Sequence, residues 1–119
     1  MHVVRFSEAP PYTAPDHQRM SMVRLQGREA GPSSELWAGV SVIAPGGGTA
    51  LSSSAEEKIY IVLDGTLHIS NGSETVALEK WDSCRIAGGE NRRLVNKTGS
   101  DVTVLLVMPL PSPERNQSR

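Results

Sequence analysis

The chain has 119 residues, with 12 Lys and Arg against 13 Asp and Glu, and its formal net charge is −1. This length is typical of one domain, and the balanced charge offers no basic surface for nucleic acid or for an anionic membrane. The single cysteine, Cys84, excludes an intrachain disulfide and a multi-cysteine zinc site. Because no run approaches the ~18 apolar residues of a membrane span and the first residues lack the apolar core of a secretory leader, we expect a cytoplasmic protein.

The two ends of the chain differ in composition from the middle. Residues 7–18 carry three prolines and no hydrophobic period, which is typical of an extended segment. The last residues, 111–119, are polar and contain proline, which favours disorder. We therefore expect an N-terminal arm over 1–18, one folded domain over 19–110 and a flexible tail over 111–119.

Hydrophobic residues alternate with polar ones along most of the folded domain, which predicts strands and no helix of useful length. In chain order the predicted strands are Met20 to Leu25, Glu35 to Ile43, Lys58 to Leu63, Thr66 to Ser70, Thr75 to Leu78, Ser83 to Ile86, Arg92 to Asn96 and Val102 to Met108. Many short strands separated by glycine turns favour an all-β antiparallel sandwich or barrel.

Two turns are predicted from dipeptides that tolerate positive φ. Asp64-Gly65 and Asn71-Gly72 each fit a two-residue type I′ hairpin, and together they predict a meander of three strands. In that register His68 shares a face with Ile61, whereas Lys58, Tyr60 and Val62 point to the other face. His68 is therefore expected to be a packed or surface residue.

The spacing of glycines and polar residues resembles the two motifs of the cupins, which are small jelly-roll barrels of the double-stranded β-helix type. The first motif, G-x5-H-x-H-x3-E-x6-G, falls on Gly46, Ser52, Ser54, Lys58 and Gly65. The second, G-x5-P-x-G-x2-H-x3-N, falls on Trp81, Ala87, Gly89, Arg92 and Asn96. The resemblance covers about residues 35 to 108 and implies a single cupin barrel.

In metal-binding cupins the histidines and the glutamate of these motifs hold a divalent metal. At the four ligand positions this chain has Ser52, Ser54, Lys58 and Arg92. Neutral hydroxyls are poor ligands for a transition metal, and an ammonium or guanidinium has no lone pair to donate. The resemblance therefore implies a cupin without a metal or other cofactor.

The same positions carry two cations where the family binds a cation, which favours an anionic ligand. Arg92 offers a planar fork for a carboxylate or phosphate, and Ser52, Ser54 and Asn96 offer short polar groups. Lys58 next to Arg92 would have a lowered pKa and is a candidate base, with Tyr60 beside it on the same face. We expect binding of a small anionic metabolite and proton abstraction next to a carbonyl, as in an isomerase, cyclase or dehydratase.

Simpler interpretations of these residues stay open at this point. Lys58 can extend to the barrel mouth or pair with Glu56 or Glu57, and Arg92 can lie on the surface with Arg93 facing inward. A further alternative is a nucleophilic serine, Ser52 or Ser54, activated by Lys58. Residues 54 and 58 would stand ~13 Å apart along a straight strand, so this pair requires a bend.

Two alternative functions and a homodimeric assembly are further hypotheses. The chain is alternatively a non-catalytic small-molecule-binding or accessory module, or a metal-dependent enzyme with an unusual ligand set. A homodimer is expected because small open barrels leave edge strands that a partner can cover, and the proline-rich arm is a candidate for that covering.

Overall fold

The computed structural model describes residues 1–111, and it is built almost entirely from antiparallel strands. In chain order the strands are β1 (Pro11–Tyr12), β2 (His17–Gln26), β3 (Leu36–Thr49), β4 (Lys58–Asp64), β5 (Leu67–Ser70), β6 (Thr75–Leu78), β7 (Ser83–Ile86), β8 (Arg93–Val95) and β9 (Val102–Pro109). Two short 3₁₀ turns, Phe6–Glu8 and Arg28–Ala30, are the helical elements of the described part. The rest of the predicted tail, beyond Pro111, lies outside the described residues.

The strands form a nearly closed barrel in the order β6-β5-β8-β3-β9-β4-β7, with β2 paired to β3 and β1 paired to β2. Strand β3 joins the two halves, because its first part pairs with β9 from Leu36↔Pro109 to Ile43↔Val102 and its end pairs with β8 at Gly48↔Val95. The predicted all-β jelly-roll barrel is confirmed.

Strand β3 runs six residues beyond the predicted end at Ile43, through a run of glycines. Gly48 explains this, because a Cβ at this position would collide with the carbonyl oxygen of Leu94 on β8, and its φ of +154° disfavours other residues. The glycine run is therefore what lets β3 cross from one half of the barrel to the other.

The predicted meander is wrong at Asp64-Gly65. Strand β4 pairs with β7 and β9, whereas β5 pairs with β6 and β8, so this turn carries the chain between the two halves of the barrel. Only Gly65 of the pair has a positive φ, +84°, whereas a type I′ turn needs it at both residues. An Asp-Gly dipeptide can form either a two-residue hairpin or a turn between the two halves of a barrel. The packing of the flanking strands decides which of the two forms.

The second predicted hairpin, β5 to β6, is present but its loop has four residues, 71–74. Ser70 pairs with Thr75, and the Asn71 side-chain oxygen accepts hydrogen bonds from the backbone N–H groups of Ser73 and Glu74 at 3.0 and 2.9 Å. His68 lies on the face of β5 opposite to the core residues Leu67 and Ile69, and its side chain is partly buried.

Trp81 occupies the position of the first glycine in the second cupin motif, and its backbone still has the conformation that a glycine favours. Its φ is +73°, close to the +84° of the motif glycine Gly65. The side chain is 70% exposed, and the backbone N–H donates to the Val62 carbonyl at 2.7 Å. The turn is thus retained without the glycine, at a conformational cost of order 1–3 kcal/mol.

Asn96 ends the barrel segment that contains Arg92, and its amide is completely buried. The Nδ2 group donates to the carbonyl oxygens of Ile43 and Ser100 at 2.8 and 2.7 Å, and Oδ1 accepts from the backbone and side chain of Thr98. Asn96 therefore ties the turn before β9 to strand β3.

Replacing Asn96 by alanine should lower the free energy of unfolding by about 2–4 kcal/mol, because it leaves buried backbone groups without partners. Urea unfolding of Asn96→Ala measures this, with Asn91→Ala at an exposed position as the matched control. Equal stability of the two variants would contradict the structural role of Asn96.

Candidate functional site

A cavity of about 260 Å³, called here the Lys58 cavity, lies between the N-terminal segment and the interior faces of the strands. It is lined by Tyr12, Thr13, Ala14, Pro15, His17, Arg24, Arg28, Trp37, Ser54, Lys58, Tyr60, Arg92, Leu106 and Met108. The volume is slightly below the range of about 300–1,000 Å³ that is usual for ligand pockets, which suits a small ligand.

The period of two along β4 brings Lys58 and Tyr60 to the inner face. Lys58, Tyr60 and Val62 are buried, while Ile59, Ile61 and Leu63 between them are only partly buried. Lys58 is 4% exposed, so it neither extends to solvent nor lies on the outer surface. The alternation predicted from the sequence therefore holds at this strand.

Arg92 faces inward and Arg93 faces solvent, which decides between the two adjacent arginines. Arg92 is 8% exposed, and its Nε donates to Tyr60 Oη at 2.8 Å. Its Nη1 donates to Thr49 Oγ1, Ser52 Oγ and the Ala50 carbonyl at 3.2, 3.1 and 3.4 Å. All of these partners are neutral, so they orient the guanidinium without balancing its charge.

Ser54 and Lys58 are in direct contact because the chain bends at residues 55–57. Lys58 Nζ donates to Ser54 Oγ at 2.7 Å, and Ser54 Oγ donates to the Glu56 carbonyl at 3.2 Å. A straight strand would hold the two side chains ~13 Å apart. The bend that the sequence analysis required for this pair is therefore present.

Burial and charge shift the pKa values of both titratable groups on β4. Burial lowers the pKa of Lys58, and the nearby Arg92 cation lowers it further. Burial raises the pKa of Tyr60, while the charge and the hydrogen bond of Arg92 partly oppose this rise. At neutral pH the site therefore holds a protonated phenol beside a lysine that releases its proton more readily than usual.

The sequence analysis did not predict an aromatic and cationic cluster in the lining of the cavity. The Arg24 guanidinium lies 3.4 Å from the Tyr12 ring centre and 4.4 Å from that of Trp37, and the two rings meet edge to face at 5.9 Å. Arg24 also pairs with Glu29 at 3.1 Å. Tyr12 reaches this position because β1 folds back along β2 of the same chain, with Tyr12 opposite Met22, and nothing local in the sequence indicates that course.

The structure brings four of the six predicted site residues to one cavity and places the other two elsewhere. Ser54, Lys58, Tyr60 and Arg92 line the Lys58 cavity. Ser52 is exposed and contacts Arg92 from outside the lining, and the buried amide of Asn96 is occupied by the turn that it holds. A ligand in the cavity would therefore meet the first four side chains and not Asn96.

The side chains at the four family metal positions do not fit a divalent metal. Lys58 and Arg92 present N–H donors on cations, and the Ser54 hydroxyl is engaged with Lys58. No group of three or more His, Cys, Asp or Glu side chains within residues 1–111 is arranged to hold a metal ion. Carboxylate, imidazole or thiolate ligands are what such an ion requires.

The chain belongs to the cupin family, since residues 39–108 match the cupin domain family. It is 43% identical over 115 residues to a Mycobacterium tuberculosis protein named as a beta-D-galactosidase, covering 96% of this chain and 98% of that protein. No helix in residues 1–111 is long and apolar enough to cross a membrane.

Two solved structures share the fold at low sequence identity. The polyketide cyclase RemF from Streptomyces resistomycificus has a TM-score of 0.80 at 18% identity, covering 92% of this chain and 79% of its own. An RmlC-like cupin from Shewanella frigidimarina has a TM-score of 0.77 at 12% identity, covering 96% of this chain and 95% of its own. At these identities the likeness shows the barrel fold.

Replacing Lys58 by methionine should raise stability at pH 7, because it removes a buried charge. A lysine whose pKa is lower in the folded than in the unfolded protein reduces the free energy of unfolding at any pH below the folded pKa. This loss of stability disappears as the pH rises towards the pKa of about 10.4 that the lysine has in the unfolded chain. The advantage of Lys58→Met should therefore shrink between pH 7 and pH 10 in urea unfolding. Lys97→Met, at an exposed position, is the control, and a Lys58→Met protein that is less stable than wild type at pH 7 would refute the assignment.

Proposed function

We propose that this cupin binds a small anionic metabolite in the Lys58 cavity without a resident metal, and that Lys58 and Tyr60 move protons on the bound molecule. One observation carries the proposal: Lys58 and Arg92 are both buried on the cavity wall, and their hydrogen-bond partners within residues 1–111 are all neutral. A buried cation without a counterion is costly, and a bound anion supplies that counterion.

The composition of the cavity wall supports the same conclusion. The lining contains Lys58 and Arg92, and none of the described lining residues is Asp or Glu. Glu29 pairs with Arg24 and its side chain is 51% exposed, so it does not balance the charges of Lys58 and Arg92. The resulting positive potential attracts carboxylates, phosphates and enolates.

The two titratable groups have complementary chemical roles. The Tyr60 oxygen accepts a hydrogen bond from Arg92, which leaves its own O–H free to donate to a ligand oxygen. Lys58 is the base, because burial and Arg92 favour its neutral form. Removal of a proton next to a carbonyl by Lys58, with the developing oxyanion held by Tyr60 and Arg92, is the step performed by isomerases, cyclases and dehydratases.

Hydrolysis of a β-galactoside is the second candidate function, favoured by the 43% identity to the protein named as a beta-D-galactosidase. Most glycosidases use two carboxylates about 5–9.5 Å apart, although some use a tyrosine nucleophile. The described lining of the Lys58 cavity has no carboxylate, so a galactoside cleaved there would receive its leaving-group proton from Tyr60. Tyr12 and Trp37 are the aromatic residues of the described lining besides Tyr60, and Arg24 lies over both rings.

Arg92→Leu should weaken anion binding about 10–100-fold, since one hydrogen bond to a charged group contributes about 1.5–3 kcal/mol. The ligand is first found by a thermal-shift screen of carboxylates and sugar phosphates, where a compound at ~100 times its Kd stabilises by ~2.7 kcal/mol. Calorimetry then compares wild type, Arg92→Leu and the matched exposed variant Arg93→Leu, each with and without EDTA.

Unchanged binding in Arg92→Leu would reject the Lys58 cavity as the anion site, and loss of binding in EDTA would reject metal independence. Binding without turnover of any ligand would favour the accessory-module alternative over an enzyme.

The galactosidase candidate predicts that purified protein hydrolyses p-nitrophenyl β-D-galactopyranoside and that Tyr60→Phe lowers kcat about 100-fold or more, as expected for a general acid. Tyr12→Phe removes the same group from another residue of the cavity lining and should lower kcat much less. Absence of hydrolysis in wild type would reject this candidate and leave carbonyl chemistry as the proposed reaction.

A further inference from the structure

The contact between Ser54 and Lys58 has no role in proton abstraction next to a carbonyl. Both side chains line the Lys58 cavity, and the 2.7 Å distance between Nζ and Oγ is short enough for a base to take a proton from a nucleophile. Ser54 differs in this from the two serines before it, since Ser52 contacts Arg92 and Ser53 is exposed, with no side-chain hydrogen bond within residues 1–111.

We propose that Ser54 is a nucleophile activated by Lys58, and that the Lys58 cavity hydrolyses a small carboxylic ester through an acylated serine. This goes beyond the proposed function, because it adds acyl transfer and does not depend on the binding of a free anion.

The first half of the reaction acylates the serine. Neutral Lys58 Nζ takes the Ser54 hydroxyl proton while Oγ attacks the ester carbonyl carbon, and the carbonyl electron pair moves to its oxygen. When the carbonyl re-forms, the alkoxide leaves and takes the proton from the Lys58 ammonium. The products are acyl-Ser54 and an alcohol, with Lys58 neutral again.

The second half releases the acid. Water attacks the acyl carbon and gives its proton to Lys58, and Ser54 Oγ then leaves as the serine hydroxyl after taking that proton back. The sum is ester plus water to carboxylic acid plus alcohol, with no oxidant or cofactor. Tyr60 and Arg92 line the same cavity and supply an O–H and a cation for the oxyanion.

The serine hydroxyl is directed away from Lys58 in this arrangement. Lys58 donates to Ser54, and Ser54 donates to the Glu56 carbonyl, which is compatible with a protonated lysine. Loss of that proton lets the serine hydrogen turn to Nζ.

Six other charged or titratable side chains stand with Lys58 in the described lining. Arg92 lies close enough to lower the pKa of Lys58, and Tyr60 shares its strand. Tyr12 comes from β1, His17 and Arg24 from β2 and Arg28 from the turn after it, and β9 contributes the apolar Leu106 and Met108. Because Lys58 is the one of these groups that contacts Ser54 Oγ, the rate of serine acylation should rise with pH as the buried lysine loses its proton.

Diisopropyl fluorophosphate tests the proposal, because it is small, uncharged and specific for activated serines. Intact-mass measurement and peptide mapping should find one adduct, on Ser54, formed at a rate that increases with pH. Ser54→Ala should abolish it, Ser53→Ala should leave it unchanged, and Lys58→Met should slow it at least about 100-fold, the size of a general-base contribution. Thermal unfolding of each variant shows that it is folded, and loss of the buried charge should make Lys58→Met no less stable than wild type.

Three results would overturn the proposal: no adduct on wild type, an adduct on Ser52 or Ser53 instead, or labelling of Lys58→Met at the wild-type rate. None of them bears on anion binding by Arg92, which is measured separately by calorimetry, so the failures of the two proposals are distinguishable.

Discussion

The buried guanidinium of Arg92 is the constraint on which the site depends. It reaches across the barrel from the residue before β8 to Tyr60 on β4, and it also donates hydrogen bonds to Thr49 at the end of β3 and to the loop that follows β3. Its hydrogen bonds hold together three segments that are far apart in the chain. Because every partner is neutral, the same contacts that stabilise the local structure leave a positive charge directed at the Lys58 cavity. Burial of Lys58 itself lowers the pKa of this lysine, and the nearby positive charge of Arg92 lowers it further.

The barrel retains the backbone of its family while it changes the chemistry of the interior. Trp81 retains the positive φ of a motif glycine although its side chain is exposed, and Asn96 retains the buried amide that anchors the turn before β9. Inside the barrel the polar side chains form two contacts, Lys58 with Ser54 and Arg92 with Tyr60. Fold and interior chemistry are separable here because the turns depend on backbone geometry, whereas the site depends on a few side chains that point inward.

The N-terminal segment contributes to the site as well as to the fold. Strand β1 lies along β2 of its own chain, which brings Tyr12 over Arg24 and next to Trp37. The cluster adds two aromatic rings and a guanidinium to the lining of the Lys58 cavity. A guanidinium in the lining suits a ligand that carries an oxyanion.

The sequence by itself determined eight of the nine described strands, the all-β class and the alternation that turns Lys58 and Tyr60 inward, because the period of two is a local property of an extended chain. It did not predict β1 or the full length of β3. The tertiary structure alone decided that β4 and β5 lie in different halves of the barrel, that Ser54 bends back to Lys58, and that Tyr12 meets Arg24. Strands with similar patterns of apolar and polar residues cannot be told apart as pairing partners from their local sequence. Which strands pair depends on the free energy of closing the whole barrel around its core, to which residues far apart in the chain contribute.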